Sequence, residues 1–258
     1  MAKIAIATTG QQAQSLKFET PLKNLEVKIS DSADAATSFA DFYAAIKDTT
    51  IEVLKQSKNA TVTVLQRASI VELFQLSQAN GGIVYGENDD KKNFIESAIE
   101  LSDYGAVVLG EGEFFEINVF KFPSAAGHAY TIELYGQDFH NLSTMHNVYE
   151  KVYVNAESPR EIDVREVKTL VLPASKFEKM ELLYSNGRRV QYDEIDILAT
   201  MRDTLFTRSI LNTKKDGLWS SAVNTVGELL VFNVAECYSV KITTNENCNI
   251  TVLKHKEL

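Results

Sequence analysis

The sequence is poor in the residues that most often mark chemistry: in 258 residues there are four histidines, two cysteines and one tryptophan. Only four prolines occur, which excludes long proline-rich linkers or tails. No stretch approaches the ~18 apolar residues of a membrane-spanning helix, so none is expected. The start, MAKIAIATTGQQAQS, lacks the basic region and apolar core of a secretory signal, so synthesis and folding in a cytoplasm are expected. On that basis the sequons at Asn59, Asn141 and Asn249 are chance matches. There is no long basic run, and the formal net charge is -9. That balance argues against a free-standing nucleic-acid binder, which carries a basic face, but not against a shell that merely encloses nucleic acid.

Catalytic signatures are equally scarce. There is no HExxH motif, nucleophile elbow, Walker loop or dinucleotide-binding glycine fingerprint. Gly81-Gly82 and Gly110-x-Gly112 are lone pairs and read as turns. His140 and His146 are six apart with no third ligand near, and with His128 and His255 they read as surface or loop histidines. Glu87-Asn88-Asp89-Asp90, Glu111 with Glu113, and Asp193-Glu194-Asp196 offer oxygen donors of the kind calcium takes, but none has EF-hand spacing. They read as solvated loop charge, and the last group suits the first turn of a helix. Lys91-Lys92 and Arg188-Arg189 are too small to grip phosphate and read as solvated, or as ion pairs between subunits. No catalytic residue and no cofactor are therefore expected, and a structural Ca2+ would have no assigned ligands. Cys237 and Cys248 fall in an apparent last hairpin. With its turn at Asn245-Glu246, Cys248 faces Thr243 and Cys237 faces Lys254, so both thiols are expected reduced.

What the chain has is the composition of a folded core, 45% apolar and 24% charged, with thirteen Phe and ten Tyr that favour strands. Short alternating segments recur at Leu16–Glu19, Leu25–Ile29, Phe114–Phe122 and His128–Tyr135. Ser38–Ile46 has helical spacing. The hairpin Ile51–Leu65 turns on Ser57-Lys58-Asn59, and a helix follows with Ile70, Leu73, Phe74 and Leu76 inward and a Ser69/Glu72 capping box. Phe114, Phe120 and Phe122 share one strand face and Phe115, Ile117 and Val119 the other, which predicts burial on both sides.

The second half repeats the order. A hairpin over Lys179–Tyr192 turns on Ser185-Asn186-Gly187, an Asn-Gly signal for positive φ. Behind it Ile195, Leu198, Met201, Arg202 and Leu205 make a short amphipathic helix opened by Asp193. Asn59 and Asn186 are 127 apart, as are Ile70 and Ile197. Pro21 pairs with Pro159, Glu113–Val119 with Glu228–Val234, and Ile132–Leu134 with Ile250–Val252. An internal duplication follows. The fold class expected is all-β, two tandem eight-stranded jelly rolls with short helices in loops, over residues 1–138 and 139–258.

Met180 to Met201, strand, Asn-Gly turn, strand and helix, resembles a recurrent feature of viral double jelly-roll coat proteins. The whole chain is similar to the compact major capsid proteins of tailless icosahedral phages with an internal membrane, of the corticovirus type in the tectivirus/adenovirus lineage. This resemblance implies a structural protein of the virion and no enzyme. It implies a homotrimer of pseudo-hexameric outline tiling an icosahedral shell, peripheral to the lipid, beside minor capsid, vertex and membrane proteins. It implies no sequence-specific nucleic-acid contact. Some members bind calcium. Met1–Thr9 would be an arm at the membrane end. The alternatives are a lectin-like double β-sandwich, for which Trp219 is the one candidate sugar platform, and a spike or vertex protein.

Overall fold

The computed structural model describes residues 2–7, 13–32, 39–79, 85–89, 92–124, 127–200, 210–213 and 229–257. The first half contains β1 (Ala2–Ala7), β2 (Ala13–Phe18), β3 (Asn24–Ser32), α1 (Phe39–Ile46), β4 (Thr50–Gln56), β5 (Thr61–Ser69), α2 (Ile70–Ala79), β6 (Tyr85–Asp89), β7 (Lys92–Glu100), β8 (Ala106–Val107), β9 (Phe114–Phe120) and β10 (Tyr130–Gln137). Short β11 (Leu142–Ser143) leads to β12 (Met145–Val154), β13 (Glu161–Asp163), β14 (Val167–Pro173), β15 (Phe177–Tyr184) and β16 (Arg189–Asp193). A helix, α3, begins at 194, and β17 (Ile210–Thr213), β18 (Leu229–Asn233), β19 (Cys237–Thr244) and β20 (Cys248–Glu257) complete the chain.

Strand order identifies the fold. In the first half one sheet runs β1-β10-β3-β7, extended by β6 and β17, and the facing strands run β2-β9-β4-β5. Counting the eight principal strands from the start, with β6 and the two-residue β8 set aside as extras, these are orders 1-8-3-6 and 2-7-4-5. In the second half β12-β20-β14-β18 and β13-β19-β15-β16 give the same two orders. Two tandem jelly rolls therefore follow each other in the chain.

Alternation puts the core between the facing sheets. Leu25, Val27 and Ile29 on β3, Ile132 and Leu134 on β10, and Phe115, Ile117 and Val119 on β9 are all buried, while their neighbours in sequence are half-exposed. Phe115 is fully buried, worth roughly 2–3 kcal/mol of burial. Gly136 on β10 is closely packed by core side chains: a Cβ there would stand 2.6 Å from Leu22 Cδ2 and 2.9 Å from Phe18 Cε1.

The rolls are joined side by side. β5 of the first pairs in parallel with β12 of the second at Leu65 and Tyr149, which makes one eight-stranded sheet out of half of each roll. Parallel pairing means that both rolls point the same way. The turns after the second, fourth and sixth principal strands, with the link 138–144, lie at one end; α1, α2 and α3 lie at the other. At the turn end Leu101 N–H donates to Lys23 O, Val107 N–H to Leu22 O and Ala106 N–H to Asn141 O. The β12-β20-β14-β18 sheet is buried on both faces, as in Leu170-Val171-Leu172 and Ile250–Leu253. Its own roll covers one face, and α2 packs on β18 while the end of β7 bonds β12 on the other.

The repeat holds where hairpin and helix coincide: β4/β5/α2 and β15/β16/α3 are the fourth and fifth strands with the following helix in each roll. Ile132 and Ile250 both lie on the eighth strand. Other pairings fail. Pro21 follows the second strand of its roll, whereas Pro159 precedes the second strand of the other. Glu113–Val119 ends in a seventh strand and Glu228–Val234 in a sixth. Similar alternation looks alike in any strand, so composition alone cannot rank them. The apparent hairpin at the C-terminal end is also corrected: β19 and β20 are seventh and eighth strands, and a jelly roll sends these into opposite sheets. Cys248 pairs with Val154 and Cys237 with Tyr184. Both cysteines are free and buried, and burial pushes both thiols up. Residues 2–7 form no arm; they are the first strand of the first roll, paired along β10.

Candidate functional site

The most heavily polar part of the interior is the seam between the rolls. Lys151, in the middle of β12, has Thr251 as its partner across the ladder. Its ammonium lies 2.7 Å from both Glu72 oxygens, and Thr251 Oγ1 also hydrogen-bonds Glu72. Glu72 stands on α2 of the first roll, so this group ties the helix to the second roll's sheet. The expected Ser69/Glu72 capping box is thereby corrected: the Glu72 carboxylate faces the seam, and Ser69 Oγ donates to Lys47 O. At α3 the box does form, with Asp196 N–H donating to Asp193 Oδ1 and Asp193 N–H to Asp196 Oδ2, each 3.0 Å.

A second group centres on Asp103, in the loop after β7. Its carboxylate accepts from Asn147 Nδ2 at 2.9 Å and from Lys168 Nζ at 2.7 Å, both second-roll residues. His255 Nε2 stands 3.0 Å from Oδ2 but out of line for a hydrogen bond. Burial pushes the Asp103 carboxyl up, but Lys168, Asn147 and His255 outweigh it and hold the group below its ordinary value. Nearby, Glu100 O accepts from Asn147 Nδ2 at 3.0 Å and from the Tyr149 hydroxyl at 2.8 Å. Burial drives the Tyr149 hydroxyl far above its usual range and raises the Glu100 carboxyl.

The structure disperses most residues singled out from sequence. His128 Nδ1 lies 2.8 Å from the buried Asp31, and His140 stacks on Phe139 in the link. His146 is a correction: it is 2% exposed, because β12 is covered on both faces. Glu113 is held by Gly110 N–H and Lys55, which keep its carboxyl low. Arg189 pairs within the sheet, 2.7 Å from Glu181. Glu87, Asn88 and Asp89 are on β6, while Asp90, Lys91 and Trp219 lie outside the described residues. Among the described residues no three His, Cys, Asp or Glu side chains are close enough to hold a metal ion. Expected burial of β9 on both faces also fails. Phe114 and Phe120 are half-buried on an outer face, with Lys17 Nζ and the Arg67 guanidinium each 4.1 Å over their rings. The sequence reading missed the seam altogether; its signal was a lysine and a glutamate inside otherwise apolar strand and helix faces, at Lys151 and Glu72.

Three of the exposed large apolar residues lie at the turn end, while Tyr153, Ile195 and Tyr238 are exposed elsewhere. Tyr104, Phe139 and Leu142 are 65%, 42% and 59% exposed, and Gly105 sits against Asn141 between them. Among the described residues no helix is long and apolar enough to cross a membrane.

No family model matches the sequence, and no curated protein matches it. Among solved structures, the chain is similar to the major capsid protein P2 from Bacteriophage PM2, with a TM-score of 0.49, 9% identity, and 99% of this chain and 97% of that one covered. It is similar at lower scores to the PBSX exported protein XepA (TM-score 0.23, 8% identity, 98% and 86% covered). A chain from Sulfolobus Turreted Icosahedral Virus gives a TM-score of 0.27 and 13% identity, with 99% and 60% covered. The chain is a double jelly roll, and that assignment rests on the strand order repeated in its own two halves.

Proposed function

We propose that the chain is a major capsid protein, assembling as trimers of pseudo-hexameric outline into an icosahedral shell. The observation that carries this reading is the parallel pairing of β5 with β12, which stands two like sandwiches side by side with their ends aligned. Three such chains around a threefold axis present six similar sandwiches, a unit that tiles a surface, and closed rings are the usual outcome of head-to-tail contacts. The apolar Tyr104, Phe139 and Leu142 are surface that packing in a shell would cover. The shell's inner side would lie on a lipid vesicle, with minor vertex and membrane proteins as further partners and synthesis in a host cytoplasm. Such a role needs no turnover and no cofactor.

Native mass spectrometry of the purified chain tests this. A trimer of the 28.8 kDa chain at micromolar concentration is expected, with contacts burying more than ~2,000 Å² as in permanent assemblies. Adding phospholipid vesicles should order the trimers into curved hexagonal arrays, visible by electron microscopy. A monomer at these concentrations, or a tight glycan ligand with no assembly, overturns it.

A further inference from the structure

The contact between the two rolls is not symmetric. The first roll offers its fifth strand, β5, and the helix that follows, α2; the second offers its first strand, β12, and the outer face of β12-β20-β14-β18. A head-to-tail contact of this kind leaves the complementary half of each roll unused. In the second roll that half is β16 with α3; in the first it is β1 with the outer face of β1-β10-β3-β7. Among the described strands, β16 and β1 both lie at the open edge of their sheets.

Burial shows each half with and without its counterpart. In α2 every residue from Ile70 to Phe74 is buried, because its own roll takes one side and the second roll the other. In α3 Ile197 is buried against its own roll, but Glu194, Asp196 and Ala199 are exposed and Ile195 is 75% exposed. The sheets differ in the same way. With Ile132 aligned on Ile250, Glu133 stands where Thr251 does, Lys28 where Val171 does and Glu26 where Thr169 does. The second-roll residues of these pairs are 2% exposed or less, whereas the first-roll residues are half-exposed. A bare isoleucine and an open strand edge are liabilities that a neighbour removes. The charges on the first-roll face keep it wetted in the single chain.

We propose that the contact between chains repeats the contact within the chain. β16 and α3 of one copy lie against β1 and the outer face of β1-β10-β3-β7 of the next, and Ile195 is covered there as α2 is covered by the second roll. Three copies then close a ring of six like junctions, three within chains and three between them. The copy number rests on the trimer reading; the surfaces rest on the strand order and the burial of this chain.

Ile195→Glu in the full-length protein tests these surfaces. Because Ile195 is exposed in the single chain, the variant should keep the natural circular dichroism spectrum and unfolding midpoint. A carboxylate buried at each junction between chains should weaken assembly by roughly a hundred-fold or more, leaving monomers at micromolar concentration in native mass spectrometry. Hydrogen exchange supplies a second readout. The backbone amides of residues 2–7 and 189–193 should gain roughly ten-fold or more protection in the natural trimer over that monomer, or over the natural chain diluted until it dissociates if the variant does not fold. Trimers that persist in folded Ile195→Glu, or protection of both segments that does not change on assembly, overturn the proposal and leave the trimer reading standing. A natural chain that is monomeric at micromolar concentration overturns both.

Discussion

Lys151 of the second roll and Glu72 of the first meet at 2.7 Å, with side chains only 22% and 11% exposed. A charge pair this sheltered is sensitive to the loss of one member, since the other is then left in a poor solvent. Lys151→Met should cost about 2–3 kcal/mol of unfolding free energy, whereas the double change Lys151→Met with Glu72→Leu should recover most of it. Urea denaturation of the three variants checks this. Equal loss in single and double variants would mean that the pair contributes only packing.

The contact between Gly105 and Asn141 is as restrictive as that pair. A Cβ at position 105 would lie 2.5 Å from the Asn141 carbonyl oxygen, a backbone atom that cannot swing aside. Gly105→Ala should cost about 1–3 kcal/mol by forcing the loop and link apart. Gly187→Ala meets nothing within 4 Å but sits at φ +80, so its cost of about 1 kcal/mol comes from the backbone alone. Only the first should loosen the β8–β11 pairing, which exchange at Ala106 and Val108 will report.

Neighbours on β9 should respond differently to truncation. Phe115 is fully buried, and Phe115→Ala should cost about 3–5 kcal/mol. Phe120, half-exposed under Arg67, should cost about 1 kcal/mol when changed to alanine. Similar losses at both would show that the outer face is covered in the isolated chain.

Acid should act on the two carboxylates after β7 with opposite sign. Asp103 is held below its ordinary 3.8, so it stabilises the fold above that pH and loses this effect as pH falls through its lowered value. Asp103→Asn should therefore destabilise strongly at pH 7 and little at about pH 2–3. Glu100 is raised above 4.5, chiefly by burial, so its ionisation costs stability as pH rises through its folded value. Glu100→Gln should stabilise at pH 7 and be neutral at about pH 4. Denaturation curves at these pH values separate the two.

Deleting residues 1–9 should abolish a soluble fold. The six residues of β1 pair with six of the eight residues of β10, Thr131 to Gly136, and their removal bares a long strand edge of the kind that aggregates. Size-exclusion chromatography of the deletion variant tests this; soluble, natively folded protein would restore the reading of this segment as an arm.

Much of the fold was legible in the sequence because alternation and turn chemistry are local. The buried Leu25-x-Val27-x-Ile29 row follows from period two, the turn at Gly187 from a residue that accepts positive φ, and the α2 face from Ile70, Leu73 and Phe74. The hairpin-plus-helix repeat at Asn59 and Asn186 pointed to two rolls for the same reason. What no local pattern contains is which strand lies beside which. Tertiary structure alone decided that β19 and β20 part into different sheets, that residues 2–7 are a strand and not an arm, and that β12 lies beside β5. Around that last pairing β12 is buried on both faces, from His146 to Tyr149. It places Lys151 against Glu72, 79 residues away, and leaves both ring nitrogens of His146 buried without a hydrogen bond. Charges and histidines look solvated in a sequence because water is their default partner; only packing across long separations removes it.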